Sequence, residues 1–597
     1  MTAVPSASAP ERRRLGRRRA LTALRYAALV AGASLLIGAL WLAVTAELAR
    51  REAQASQQSV SRLRTALAQA DLPAARAAVD SLTGHARSAH RLTTGPAWWA
   101  AARVPWLGSP ARTIRGCAAQ SDQLGAEVLT PLVRLADRLT LGGLLNQGSV
   151  RLQPLIEAAP VLREVELRLQ AGSQQVDQLP KRTWLGSADR SRDSLSGSLG
   201  RLSEQLRPVS QAADVLPDLL GRHGAKRYFV GLQNEAESRG VGGIPGLFAI
   251  VTAVDGRLSF DRFESDTVLS KVRTDLDLGS EYHQRYRAAD PVNTFSNSTI
   301  SPDFTDAGRI WAAMWHEHSG QRIDGAMAID PTAISYLLRV TGAATLTDGS
   351  VVDSAGVVSL TQQTLYRTHP DKAARKAYLL EIARAISVRL LSARGSTGLV
   401  RAIEQAVDER RIVAWSAEPA LQERLAAGPI SGTLLPGTGY FAGFSTVNAT
   451  GGKLDYYLTR QLSYSRSGCG AGSVSTSTFT LANEVPAGPL PSYVTLRLDS
   501  PGYRTRPGDN KVLLSYYGTP GSRIDSVTVD GRRAVVMPSS ERGLTVLTLP
   551  LELARGSRHS VTVTAVEPAR SEQTRILRQP AVKPVTVTTR LPDCGGS

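Results

Sequence analysis

The chain has 597 residues, several times the length of an ordinary domain, so it holds more than one folded unit. Its 70 basic residues against 52 acidic give a net charge of +18, yet only eight of the 70 are lysine. That excess reads as an arginine-rich composition, and no nucleic-acid partner is inferred from it. Charged residues at 20% and hydrophobic residues at 42% exclude a disordered or collagen-like chain, and three cysteines leave room for one disulfide at most.

From Tyr26 to Ala46 there are 21 uncharged residues, YAALVAGASLLIGALWLAVTA. As a helix they span about 31 Å, the thickness of a bilayer core. Seven arginines (Arg12, Arg13, Arg14, Arg17, Arg18, Arg19 and Arg25) precede them, and a basic flank of this density holds the N-terminus in the cytoplasm. A cleaved signal peptide is the competing reading, since Val44-Thr45-Ala46 is a small-x-small site. Signal h-regions run to roughly 7–15 residues, however, and this one is longer. The expectation is a basic cytoplasmic tail over 1–25, a transmembrane helix over 26–46 and the bulk of a single-pass cell-membrane protein outside.

Residues 47–220 carry apolar residues at three and four spacing, as in SVSRLRTALAQA and VLREVELRLQ, which predicts an α-helical stalk. Asp71-Leu72-Pro73 starts a second helix reaching about Leu92, and its length matches the first arm, so the chain returns to where it left the membrane. There it reads GPAWWAAARVPWLGSP, placing Trp98, Trp99 and Trp106 within nine residues. Indoles with an apolar ring and a polar N–H favour the membrane interface; packing among stalk helices is the other reading.

From 221 to 435 the period changes, predicting a central α/β domain. KRYFVGLQN reads as a strand, ESRGVGGIPG as a glycine-rich loop, LFAIVTAV as a strand, Asp255-Gly256 as a hairpin turn and RLSFDRF as a third strand. The loop carries Asn234, Glu235, Glu237 and Arg239 before Gly242-Gly243, where backbone N–H groups and an arginine suit an anion. His316-Glu317-His318 lacks the i, i+4 spacing of a zinc helix and reads as a polar helix end.

FVGLQNEAESRGVGGIPG, NSTISPDF, GRIWAAMWHEH and IDGAMAIDPTAISYLL, taken in order over about 226–400, resemble the envelope family known as domain of unknown function four-zero-one-two. The same stretch distantly resembles the LytR-CpsA-Psr family, which transfers glycopolymers from a polyprenyl-pyrophosphate carrier to the bacterial cell wall. Glu237-Ser238-Arg239, the hairpin, Ser265-Asp266-Thr267, IDGAMAIDPTAISYLLRVTGAATL and LYRTHPDKAARKAYLLEIARAI stand in the order of that family's motifs. The resemblance implies that Arg239, Arg367 and Arg375, with Asn234, bind phosphate oxygens. It implies that Asp266, with Asp371, holds Mg2+, that Asp266 and Arg239 act in catalysis, and that long apolar helices enclose a prenyl chain. The chain departs from the family at Gly246-Leu247-Phe248 and Ser265, losing two guanidiniums and one metal carboxylate.

Beyond Pro436, over 436–597, short apolar strands alternate with Gly, Pro, Asn and Asp turns: FAGFSTVN, LDYYLTRQLSY, SVSTSTFTLAN, YVTLRLD, NKVLLSYYG, SRIDSVTVDG, GLTVLTLPLE and HSVTVTAV. This predicts a C-terminal β-sandwich. Cys469 and Cys594, near its two ends and outside the cell, are the candidate disulfide, leaving Cys117 a lone thiol. The chain thus reads as multidomain: single transmembrane helix, helical stalk, central α/β domain and β-sandwich. Two functions stay open. One is recognition of a lipid-linked (pyro)phosphate or anionic cell-wall glycopolymer, as a glycopolymer phosphotransferase if it is an enzyme. The other is a non-catalytic scaffold in envelope or polysaccharide-export assembly.

Overall fold

The computed structural model describes residues 9–69, 71–105, 108–136, 144–146, 148–434, 437–592 and 594, with side chains from 22 onward except at 68 and 572. Trp106 and Pro436 lie outside the described residues. The chain forms two compact units, one of Met1–Thr140 with Ile156–Ala213 and one of Leu141–Leu155 with Asp214–Ser597.

The first unit is helical. Helix α1 (Ala9–Ala68) is continuous, so the arginine-rich segment before the apolar run is helical from Ala9, as its Arg, Ala and Leu content favours. Its part from Thr22 to Leu67 is long and apolar enough to cross a membrane, by length and composition, and suits a membrane anchor. Helix α2 (Leu72–Thr93) starts at Asp71, whose side chain accepts from the Ala74 N–H at 2.9 Å, with Pro73 in the first turn. Then come α3 (Pro96–Arg103), α4 (Ser109–Gln123), α5 (Thr130–Ala136), α6 (Gln153–Asp177) and α7 (Gly186–Leu219), the last two belonging to this unit over 156–177 and 186–213. Val128, Val165, Leu169, Val176 and Leu199 form one buried core of this unit.

The second unit begins on a seven-stranded mixed sheet. Strands β1 (Lys226–Arg239), β2 (Gly242–Val254) and β3 (Arg257–Ser265) form an antiparallel meander. Helix α8 (Phe304–Ser319) leads to β4 (Gly325–Ile329), which pairs parallel to β1, and α9 (Pro331–Thr341), α10 (Lys372–Leu391) and α11 (Thr397–Asp408) lead to β5 (Ile412–Ser416). The order is 145–146, 149–150, β3, β2, β1, β4, β5. The two-residue alternation sorts the faces. Phe229, Phe248, Ala326 and Trp415 pack with Trp311 and Trp315 of α8, while Val230, Leu232 and Ala249 face the opposite way, toward α9 and α10.

The stretch expected to be a glycine-rich loop is instead the end of one long hairpin. Strands β1 and β2 run on through it, and the register slips between Asn234 and Ser238, so Glu235, Ala236 and Glu237 bulge from the ladder. Glycine is needed there for close approach: a Cβ on Gly243 would stand 2.2 Å from the carbonyl carbon of Asn234.

Two further sheets follow. One has the order β11 (Met537–Glu541), β12 (Leu544–Leu553), β9 (Asn510–Gly518), β6 (Gly439–Asn448), β14 (Ser571–Leu577). The other runs 532–533, β10 (Arg523–Val529), β13 (Arg558–Val566), β8 (Val474–Asn483), β7 (Leu458–Ser467), β15 (Thr586–Arg590). Phe444, Phe479, Val512, Leu514, Val561 and Val563 from both sheets share one buried core. YVTLRLD, expected as a strand, is irregular, because Val494 and Tyr493 are drawn to Tyr366 instead. Strands β11, β14 and β15 went unread, being short or edge strands.

Candidate functional site

Between the β1–β2–β3 face and α9, α10 and residues 357–366 lies a cavity of about 220 Å³. Its walls are apolar: Leu232, Leu247, Phe260 and Phe263 come from the sheet, and Leu379, Ile382, Ile386 and Leu390 from α10. On α10 the lining residues from Arg375 to Leu390 recur at helical spacing, a stripe about 22 Å long.

One end is cationic. Lys372, Arg375 and Lys376 open α10, and Lys453 arrives from the segment between β6 and β7. Lys376 donates from Nζ to the Gly246 carbonyl and to Asp266 Oδ1, both at 2.7 Å. Burial holds its amine below the ordinary lysine value, against the pull of Asp266. Lys453 is 3% exposed and bonded to Glu237. Burial opposes its charge, yet Glu237 and the phenols of Tyr366 and Tyr493 hold its pKa above the usual range. Arg375, also 3% exposed, donates to the carbonyls of His369 (2.7 Å) and Pro370 (3.1 Å) and lies 4.9 and 4.8 Å from the ring centroids of Tyr366 and Tyr493. Those rings are stacked 5.7 Å apart. Four cations thus meet two carboxylates, Asp266 and Glu237, so this end of an apolar cavity keeps positive charge in excess.

Of the residues named from sequence, Arg375, Asp266 and Asn234 line this cavity, Asn234 donating from Nδ2 to the Tyr366 hydroxyl at 2.7 Å. Arg239 does not line it. It is 7% exposed, and its guanidinium donates to the carbonyls of Ser238 (3.0 Å) and Asn448 (3.4 Å) and to Asn297 Oδ1 (3.1 Å), with burial lowering its pKa. The rest of its motif is equally enclosed: Ser238 N–H donates to Asp455 Oδ2 at 2.9 Å, and Gln579 Nε2 donates to the Arg239 carbonyl at 2.7 Å. Arg367 is exposed and outside the cavity lining, and Asp371 caps α10 by accepting from the Ala374 N–H at 2.7 Å. The three arginines therefore do not converge. For Mg2+, Asp266 is the one carboxylate lining the cavity, and it already faces an ammonium. The described residues hold no group of three or more His, Cys, Asp or Glu suited to a metal.

Lys372, Lys376, Lys453 and Tyr493 were not read from the sequence. A signal did exist, because three of only eight lysines in an arginine-rich chain gather here, two of them at i, i+4 in KAARK. Behind the cavity, Gln362 Nε2 donates to Glu235 Oε2 at 2.7 Å, and Arg411 bonds Asp330 Oδ2 at 2.7 Å with Glu235 Oε1 at 3.6 Å. Glu235 and Asp330 are fully buried, and burial followed by the Asp330 charge pushes the Glu235 carboxyl well up. Across β11, Arg285 pairs with Glu541 at 3.1 Å, and Asp306 meets Arg542 at 2.6 Å. Cys469 and Cys594 form a disulfide, and Cys117 is buried and free.

Residues 223–366 match the model of a family described as "Protein of unknown function (DUF4012)". No curated protein and no solved structure matches the chain. The matched segment stops at Tyr366, so the cations of α10 and Lys453 lie beyond it.

Proposed function

We propose that the cavity binds an apolar chain carrying an anionic, phosphate-type head, the chemistry of a lipid-linked glycopolymer or its carrier. One observation carries this reading: an apolar gallery whose one end gathers Lys372, Arg375, Lys376 and Lys453. A purely apolar ligand has no use for four cations there, and a free anion has no use for the gallery. The reading is supported by the resemblance to the LytR-CpsA-Psr family and by the anchor-like helix, whose arginine flank puts the N-terminus in the cytoplasm and the cavity outside. The two later sheets are read as a β-sandwich that also contributes Lys453 and Tyr493 to the cavity mouth. Transfer of a polymer would rest on Asp266. The burial of Arg239 among segments 448–455 and 579 is the observation that favours the scaffold alternative.

The test is titration of a short polyprenyl phosphate into the detergent-solubilised chain, with and without Mg2+. Each charge-assisted hydrogen bond is worth about 1.5–3 kcal/mol, so Lys376→Met and Arg375→Met should each weaken binding about 10-fold to 150-fold. Arg367→Ala should bind like wild type. Absence of binding by wild type near saturating lipid, or equal binding by Lys376→Met, would sink the lipid-phosphate reading and leave the scaffold.

A further inference from the structure

The tryptophan-rich return of the helical hairpin takes no part in the cavity, and its geometry points to a different partner. Helices α1 and α2 descend as an antiparallel pair, joined by Ser59 and Ser81 (Oγ to Oγ, 3.0 Å) and by Glu52 Oε2 with His85 Nδ1 at 2.6 Å. The descent ends where Trp98 of α3 donates its Nε1–H to Thr45 Oγ1 at 2.9 Å. Thr45 is the last residue but one of the uncharged run Tyr26–Ala46, and both partners are buried, Trp98 at 3% exposure and Thr45 at 4%. Helix α3 is therefore fastened at the level where the apolar run ends.

The two neighbouring indoles have different surroundings. Trp98 packs inward, whereas Trp99 is 52% exposed with the Arg103 guanidinium 3.5 Å over its ring, and Val104 is 42% exposed beside it. Trp41, on the apolar run, is 58% exposed, and its indole nitrogen lies 3.9 Å from where a Cβ on Gly95 would stand. Between Ser81 and Ser121 there is no Asp or Glu, while Arg87, Arg91, Arg103, Arg112 and Arg115 are present. An indole face, an aliphatic side chain and the Arg103 guanidinium lying over that indole, held at the end of an apolar helix, match the layer where acyl chains give way to anionic headgroups.

We propose that α3, through Trp99, Arg103 and Val104, docks into the headgroup layer of the bilayer that α1 crosses. The foot fixes the base of the hairpin on the membrane, so the arm above Glu47 stands at a set angle to it. The inference rests on Tyr26–Ala46 being a transmembrane span, and the experiment separates the two claims.

The full chain carrying Cys117→Ser is spin-labelled at single sites, Trp99→Cys, Val104→Cys, Leu35→Cys and Arg64→Cys, in nanodiscs of phosphatidylcholine with phosphatidylglycerol. Leu35 is 75% exposed on the span, and Arg64 is an exposed position about 28 Å along α1 beyond Thr45. Labels at 99 and 104 are expected to be several-fold less accessible to a water-soluble nickel complex than the label at 64, and shallower than the label at 35 by oxygen accessibility. If label 35 is deep while 99 and 104 are as open to nickel as 64, the foot does not dock. Spin–spin broadening at 99 would show a second copy on this face and overturn the proposal as well. If label 35 is itself aqueous, the transmembrane reading fails with it.

Discussion

Replacing Arg411 by methionine removes the one guanidinium that neutralises a fully buried carboxylate pair. Arg411 is 4% exposed, bonds Asp330 and Glu409 at 2.7 Å each, stands 3.6 Å from Glu235, and donates to the Ala581 carbonyl at 3.1 Å. Glu409, with 30% side-chain exposure, can turn to water, so the loss falls on Asp330, which is 0% exposed. Breaking a buried ion pair on one side costs about 3–5 kcal/mol, because the remaining charge keeps its desolvation penalty. Glu235 behaves differently, since burial and the Asp330 charge push its carboxyl well up and so disfavour its charged form. Glu235→Gln should therefore change stability by less than about 1 kcal/mol. By thermal unfolding of the solubilised chain, Arg411→Met should lower Tm by about 5–10 °C. Adding Asp330→Asn to Arg411→Met should return part of that drop, because no charge is then left unpaired. The reasoning is refuted if Arg411→Met melts within about 2 °C of wild type, or if Glu235→Gln costs as much as Arg411→Met.

Three further outcomes are expected. Burial and the Asp303 charge, opposed by Arg542, raise the Asp306 carboxyl to about 7. The folded chain then holds a proton that the unfolded chain has released, so stability should fall as pH rises from about 4 to 7 and level off above, by at most about 4 kcal/mol. Asp306→Asn should flatten that slope in a pH series of melting curves. The disulfide closes a separation of 125 residues, for which chain entropy sets an upper limit of about 5 kcal/mol. Reduction should lower Tm and expose β15 to proteolysis, while Cys469 and Cys594 should resist alkylation until reduced. Gly243→Ala should destabilise by about 1–3 kcal/mol and also weaken lipid-phosphate binding, because its Cβ would push into the Asn234 backbone and shift the bulge bearing Glu235 and Glu237; unchanged binding would show the bulge and the cavity mouth to be independent.

What the sequence alone determined about this protein is whatever a short window of chain can encode. The uncharged run Tyr26–Ala46 and the arginines before it, the Asp71 and Pro73 start of α2, and the alternation of β1 and β2 each follow from residues close together. Leu379, Ile382, Ile386 and Leu390 also stand at helical spacing, but apolar residues surround α10, so which of its faces turns to the cavity was decided by packing. Tertiary structure decided which arginines could act. Arg367 and Arg375 are eight residues apart, yet the turn at His369-Pro370 and the Asp371 cap begin a new helix, leaving the first exposed and the second buried. Glu237, Ser238 and Arg239 read as an anion loop only until Lys453, Asp455, Asn448 and Gln579, more than 200 residues away, enclose them. The cavity's charge has the same origin, since Lys453 reaches it from the segment between β6 and β7. Helical phase and strand alternation repeat within a few residues and can be read locally. Burial and charge pairing depend on which distant segments close over a group, and that is settled when the chain packs.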